Sequence, residues 1–314
     1  MSQAPQPFTL PNPAGEPLTA LRIGPVEVVL GAQGGKYPDG NHVMVSGREG
    51  CVSFDLPPVS RVVPARLARA DFVVLGHVHE DHTAGLSLLP QVPVHVHEGD
   101  VAAMRSLDGL AVHYGYRPPV TAALCRRAVE RFHYAPRPDA LAYADGASWD
   151  LGGVRVRAVH APGHTRGHCI LLVEPDGIAF IGDIDLSSFG PYYGDATSDL
   201  AAFRATLRQV RDLPAACWIT SHHKGVVSSR ERFLEQLQAF GAALDRRQAA
   251  LLDALRARPQ GLDDLVRTRF VYRPDFDDDF VEDAERRVIG QHLDELLAEG
   301  RIVRRDDGAY AAAG

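Results

Sequence analysis

The 314-residue sequence predicts an α/β fold with a distinct helical unit at its C-terminal end. Three observations carry this prediction. Short β-branched runs alternate with helical stretches through most of the chain, which layers helices over sheets. Turn signals such as Pro175-Asp176-Gly177 join neighbouring runs into hairpins, so the sheets cannot be all parallel. Near residue 245 the alternation gives way to amphipathic helix. With 45% hydrophobic and 23% charged residues, a chain of this length can bury a large core and suits about two domains.

Taken in order, residues 1–20 hold five prolines and read as an extended N-terminal arm. Strands follow at 26–30, 43–46 and 51–55, separated by turn-rich segments. Residues 62–70 suit a short helix, and 71–75 a buried strand that stops at Gly76. A short helical stretch at 86–89 precedes a strand at 92–96. Residues 98–148 mix helical runs with Pro- and Tyr-rich loops and read as a helical insertion or lid. Strands return at 154–159, 169–173 and 178–181, then a helix at 200–213 and a strand at 216–220. The domain expected from these elements spans 21–244.

Residues 245–314 read as three helices (245–258, 261–269 and 281–299) and a terminal hairpin, the order of a winged-helix module. Gly300 sits where a helix C-terminus favours glycine. This unit carries 16 acidic residues against 12 arginines, and its third helix holds Glu282, Asp283, Glu285, Asp294, Glu295 and Glu299. Phosphate contact needs cations there, so packing or a homodimer contact is the expected role.

A formal charge of −7 disfavours a surface devoted to nucleic acid, although a local basic groove is compatible with it. No apolar run reaches a membrane-spanning length, and the N-terminal residues lack a secretory pattern, so a cytoplasmic protein is expected. Cys51, Cys125, Cys169 and Cys217 form no paired motif and read as small buried hydrophobes.

The chemistry is concentrated in the 14 histidines. His77-Val-His79-Glu80-Asp81-His82 follows the buried strand at 71–75, and alternation turns His77 and His79 to one side. One loop thus offers three imidazoles and a carboxylate, ligands suited to Zn²⁺, Mn²⁺ or Fe²⁺. His160-Ala-Pro-Gly-His164-Thr-Arg-Gly-His168, Gly182-Asp183 and Thr220-Ser-His222-His223 each follow a later strand, so four strand ends present metal-binding residues.

H-x-H-x-D-H, PGHTxGH, GD and a late histidine, in this order over residues 20–240, resemble the metallo-β-lactamase superfamily. That resemblance implies an αββα sandwich with a dinuclear site at one sheet edge. It implies His77, His79 and His164 on one metal, and Asp81, His82 and a histidine of the 222–223 pair on the other. Asp183 would bridge both metals, and a bridging hydroxide would attack the substrate. For the late histidine, alignment of Ser221 with the family's glycine selects His222 as ligand, while counting back from Gly225 selects His223. We take His222, leaving His223 beside Asp81 as the catalytic candidate for proton transfer or substrate contact. His168 is expected to hydrogen-bond behind the ligands. Glu80 is expected in solvent or in the same supporting role. His95, His97, His113 and His133 read as ordinary surface or core histidines. Tyr192 and Tyr193 suit either the groove or loop packing.

The PGHTRGH segment is most similar to glyoxalase II and related thioesterases, whereas the tail resembles the lactamase-beta-2-like branch, some members of which act on single-stranded RNA. His79 stands where flavin-linked di-iron relatives carry Glu. The expectation is therefore a hydrolase with two divalent ions, zinc first and manganese or iron next, acting on a small ester, thioester or lactone. The alternative is a metal-dependent endonuclease on single-stranded RNA or DNA. A third class, a regulatory binding protein with a structural metal, is disfavoured because every expected ligand is present.

Overall fold

The computed structural model describes residues 4–12 and 15–313. Two mixed sheets form its centre. The first runs in order β1 (Gln6–Leu10), β2 (Leu18–Ile23), β3 (Val26–Val29), β4 (His42–Ser46), β5 (Cys51–Phe54), β6 (Phe72–Val74), β7 (Val94–His97) and β8 (Leu141–Tyr143). Its first five strands are antiparallel, and β5 to β8 are parallel. The second sheet has the order β14 (Val226–Val227), β13 (Cys217–Ile219), β12 (Ile178–Phe180), β11 (Cys169–Glu174), β10 (Arg155–His160) and β9 (Ser148–Asp150). Only β12 and β13 are parallel in it.

The central strands of both sheets are buried on both faces, and strand alternation sorts the side chains between the layers. Along β11, Cys169, Leu171 and Val173 face the first sheet, meeting Val28, Val45 and Phe54. Ile170 and Leu172 face outward onto Phe203 of α6 (Leu200–Arg211) and Phe233 and Phe240 of α7 (Arg230–Ala257). On the opposite side, Val73, Val94 and Val96 pack against α3 (Val101–Arg105), α4 (Leu107–Tyr114) and α5 (Pro118–Phe132). The layers are helix, sheet, sheet, helix. Single-turn helices α1 (Ala32–Gly35) and α2 (Pro64–Leu67) lie in loops.

Four expectations need correction. The N-terminal arm is a hairpin, because β1 pairs with β2; Pro7 is tolerated there because β1 is the sheet edge. Of the predicted arm, positions 1–3, 13 and 14 lie outside the described residues. The 62–70 helix is reduced to α2 by Pro64, which starts it afresh after a 3₁₀ turn at Pro58–Val62. Residues 98–148 are more than an insertion, since β8 lies in this stretch and β9 starts at its end, which carries the chain from one sheet to the other. The helix expected from 245 already begins at Arg230 and runs through the compositional change.

Beyond α7 come α8 (Leu262–Thr268), α9 (Val281–Ala298) and the antiparallel pair β15 (Ile302–Arg304) and β16 (Tyr310–Ala312). Leu251, Leu255, Leu265, Ile289, Leu293 and Ile302 form their own small core. This unit is also fastened to the sandwich. Asp283 accepts from Arg117 Nε at 2.6 Å, and Arg204 Nε donates to Glu295 at 3.2 Å. All four cysteines are free and buried.

Candidate metal centre

The expected residues come together because β6, β10, β12 and β13 all end at the same edge of the sandwich. The loop after β6 carries His77 to His82, the loop after β10 carries His164, β12 leads to Asp183, and β13 leads to His222. Nδ1 of His79 lies 3.1 Å from Nε2 of His77 and 3.1 Å from Nε2 of His164. Beside this triad, His222 Nε2 stands 3.1 Å from Asp81 Oδ2, and His82 Nε2 stands 3.7 Å from the same oxygen. Asp183 spans the two groups. Its Oδ2 is 3.4 Å from His164 Nε2, and its Oδ1 is 3.2 Å from His82 Nε2 and 3.5 Å from His222 Nε2.

These residues fit metal ions better than they fit one another. His82 Nε2, His222 Nε2 and Asp183 Oδ1 are buried and make no hydrogen bond, although they converge on one space. Orphaned buried polar atoms are rare unless something binds them. The 3.1 Å spacings in the triad approach the ~3.3 Å edge of a tetrahedron with zinc–nitrogen bonds of about 2.0–2.1 Å.

Outer partners aim four of the five rings inward, while His77 Nδ1 makes no hydrogen bond. His82 Nδ1 is 2.8 Å from Asp55 Oδ2, and His79 Nε2 is 2.7 Å from Asp195 Oδ2. His164 Nδ1 donates to the Tyr192 carbonyl at 3.0 Å, and His222 Nδ1 to the Gly35 carbonyl at 2.8 Å. Such contacts fix the tautomer, leaving the other nitrogen free to ligate. His168 takes the supporting place expected of it, accepting the Asp183 N–H at Nε2 at 3.2 Å. That approach requires Gly182, where φ is +56° and a Cβ would stand 2.5 Å from His168 Nε2.

The electrostatics ask for positive charge. Burial pushes His77 well below the usual imidazole range and His164 down to about 3, so both stay neutral. Burial opposes charge on His222 too, but Asp183 and Asp81 outweigh it and raise that imidazole to about 10. Asp195 similarly raises His79 to about 9 against its burial. Asp183 is held well below the carboxylate range, the surrounding imidazoles overcoming its desolvation. Divalent ions would supply the charge that these carboxylates otherwise draw as protons.

His222 and His223 are separated by the backbone. His223 adopts φ 60° and leaves the cluster, with Nε2 3.6 Å from Asp185 Oδ2. Glu80 is not in solvent. It is buried and accepts from Tyr37 Oη at 3.1 Å and Tyr114 Oη at 2.6 Å. His113 is buried beside His79 and Asp195, closer to the site than its lack of a motif implied. Tyr192 lines the cavity, whereas Tyr193 is fully buried and pairs with His292 Nε2 at 2.9 Å. Asp55 and Asp195 escaped the sequence reading. The available hint for Asp55 was an acid ending the strand beside β6; Asp195 had no motif.

The metallo-beta-lactamase superfamily model matches residues 65–222. A hydroxyacylglutathione hydrolase of Acidiphilium cryptum is 32% identical over 203 residues, 65% of this chain and 70% of that protein. An atrochrysone carboxyl ACP thioesterase of Pseudocercospora fijiensis is 22% identical over 75% of this chain, which spans 60% of that relative's length. A metallo-beta-lactamase family protein from Thermus thermophilus superposes with TM-score 0.66 at 20% identity, covering 99% of this chain and 98% of its own. A beta-lactamase domain protein from Burkholderia ambifaria gives 0.66 at 21% identity, covering 92% of each chain. At these identities the structural likeness is one of fold.

Proposed function

Because the chain belongs to the metallo-beta-lactamase superfamily of metal-dependent hydrolases, we propose that it hydrolyses a small thioester, ester or lactone at a centre of two divalent ions. The observation that carries this reading is Asp183, whose two oxygens lie 3.4 Å from His164 and 3.2 Å from His82, members of different clusters. His77, His79 and His164 would hold one ion, Asp81, His82 and His222 the other, and Asp183 would touch both. Zinc suits the imidazole triad best, with manganese or iron next. Ions bound there lower the pKa of water and polarise a carbonyl oxygen.

The remaining work falls to the chain. Asp81 is both ligand and proton relay in this reading. His223, on the cavity wall with its Nε2 3.6 Å from Asp185 Oδ2, serves in this reading as the proton donor to the departing thiolate or alkoxide. The relatives named as thioesterases support a thioester in first place.

A nuclease reading has one observation in its favour, since arginines and aromatic rings line the cavity. Two of those four arginines, Arg127 and Arg247, are engaged, however, while Arg246 and Arg273 are exposed. Arg127 pairs with Asp278 at 2.8 Å, and Arg247 donates to the carbonyls of Pro191 and Phe189. Asp278 lines the same cavity, with Asp275, Asp277 and Asp279 beside it in sequence, and these acids oppose a polyanion. A small substrate fits better. We read the C-terminal unit as winged-helix-like, serving here to wall the cavity. No described helix is long and apolar enough to cross a membrane.

The test is a screen of metal-loaded and chelated protein against thioesters, lactones, phosphodiesters and short RNA. Metal-dependent thioester or ester turnover is expected. Turnover of RNA alone would transfer the assignment to the nuclease.

A further inference from the structure

The cavity over the metal centre has a volume of about 1190 Å³, more than a small acyl group requires, and its far wall comes from the C-terminal unit. Residues 270–280, between α8 and α9, cross the cavity opposite the histidines. Phe276 stacks on Tyr272 with ring centroids 5.5 Å apart and planes 13° from parallel. Phe280 meets Tyr272 edge-on at 5.8 Å, and Phe189 tilts against it at 5.6 Å. The rings form one continuous aromatic face.

Two features show a built surface in place of a chance cluster. Buried Glu285 on α9 accepts the backbone N–H groups of Phe270, Val271 and Tyr272 at 3.1, 3.0 and 2.8 Å, clamping the segment in position. Second, the outermost rings are left open. Phe276 is 41% exposed and Phe189 39%, both toward the cavity. Arg247 lies 5.1 Å from the Phe189 centroid, which backs that ring with a cation. Open flat rings beside a reactive centre favour a flat apolar partner, because offset stacking adds to burial.

We propose that residues 270–280, with Phe189, form the acyl-recognition wall of this site, and that the substrate carries a flat aryl acyl group on its thioester or ester. The proposal rests on the hydrolase reading above. Asp275 and Asp277 flank Phe276 in sequence and Asp278 lines the cavity, and these acids repel a phosphate backbone, so a nucleobase is the disfavoured occupant.

The full-length, metal-loaded protein is assayed on N-acetylcysteamine thioesters bearing acetyl, octanoyl, benzoyl and 2-naphthoyl groups. Wild type should prefer naphthoyl over acetyl in kcat/KM, and Phe276→Ala or Phe189→Ala should reduce that preference by about tenfold, mainly through KM. Circular dichroism confirms that these variants fold. An unchanged preference in both variants would overturn the proposal. So would a wild-type preference for octanoyl over naphthoyl.

A failure of the hydrolase reading is separable, because it appears as no turnover of any thioester, acetyl included. The wall is then tested by calorimetric titration of 2-naphthoate into metal-free protein. Binding weakened about tenfold by Phe276→Ala supports it, and absent or variant-insensitive binding removes it. Metal-dependent cleavage of a single-stranded RNA that weakens in Phe276→Ala would assign the wall to nucleobases and also overturn the proposal.

Discussion

Oδ2 of Asp55 lies 2.8 Å from Nδ1 of His82, while its other oxygen accepts the N–H of Gly76 at 2.7 Å. One buried carboxylate at the end of β5 thus sets both the start of the histidine loop and the direction of a ring within it. Asp55→Asn should keep the fold, yet weaken retention of the ion next to His82 by about 10- to 100-fold. Competition with a chromogenic chelator measures this. Unaltered affinity for both ions would show that His82 needs no such partner.

The late histidines separate by role. His222→Ala should lose one ion per chain, since its Nε2 faces Asp81 at 3.1 Å. His223→Ala should retain both and lower kcat, because its imidazole turns to Asp185. Metal analysis of the two purified variants decides between them. Metal lost from His223→Ala alone would exchange the assignments.

Gly182 links backbone geometry to the centre. Gly182→Ala places a methyl 2.5 Å from His168 Nε2 at a left-handed φ of +56°, so Asp183 must shift. We expect a loss of about 1–3 kcal/mol in unfolding free energy together with weaker metal binding. Gly15→Ala, with nothing within 4 Å, is the control and should change neither. Urea titration and metal analysis read both outcomes.

The histidine motifs were legible because their members are close in sequence and each follows a strand whose alternation is plain. What supports them was not. Asp195 reaches His79 across 116 residues, and Asp55 reaches His82 across 27, so each reads locally as a lone acid. Glu285 looked like part of a surface charge cluster, but the fold buries it completely and gives it three N–H donors. The two-sheet core could be read from short apolar runs, whereas the β1–β2 hairpin was hidden by prolines that an edge strand accommodates. The start of α7 was missed because residues 230–244 were not read as helix, and the compositional change near 245 suggested a boundary.

Buried His292 makes stability pH-dependent at a distance from the metals. Burial, helped by Arg204 and Arg247, lowers it to about 3, so the folded protein keeps it neutral where the unfolded chain, near 6.5, takes up a proton. Stability is therefore full above about pH 6.5 and falls as pH drops toward 3, by roughly 1.4 kcal/mol per unit from this group. In urea denaturation of metal-free protein at pH 7 and 5, His292→Gln should show a loss smaller by about 2 kcal/mol than wild type. Equal losses would mean that His292 does not contribute.

The central claim is a two-ion hydrolytic centre, and the most direct test is titration of zinc into metal-free protein while thioester turnover is followed. Activity should rise until two equivalents per chain are bound and vanish on chelation, with Asp183→Asn failing to reach either plateau. Full activity at one equivalent, or turnover that persists in chelator, would contradict it.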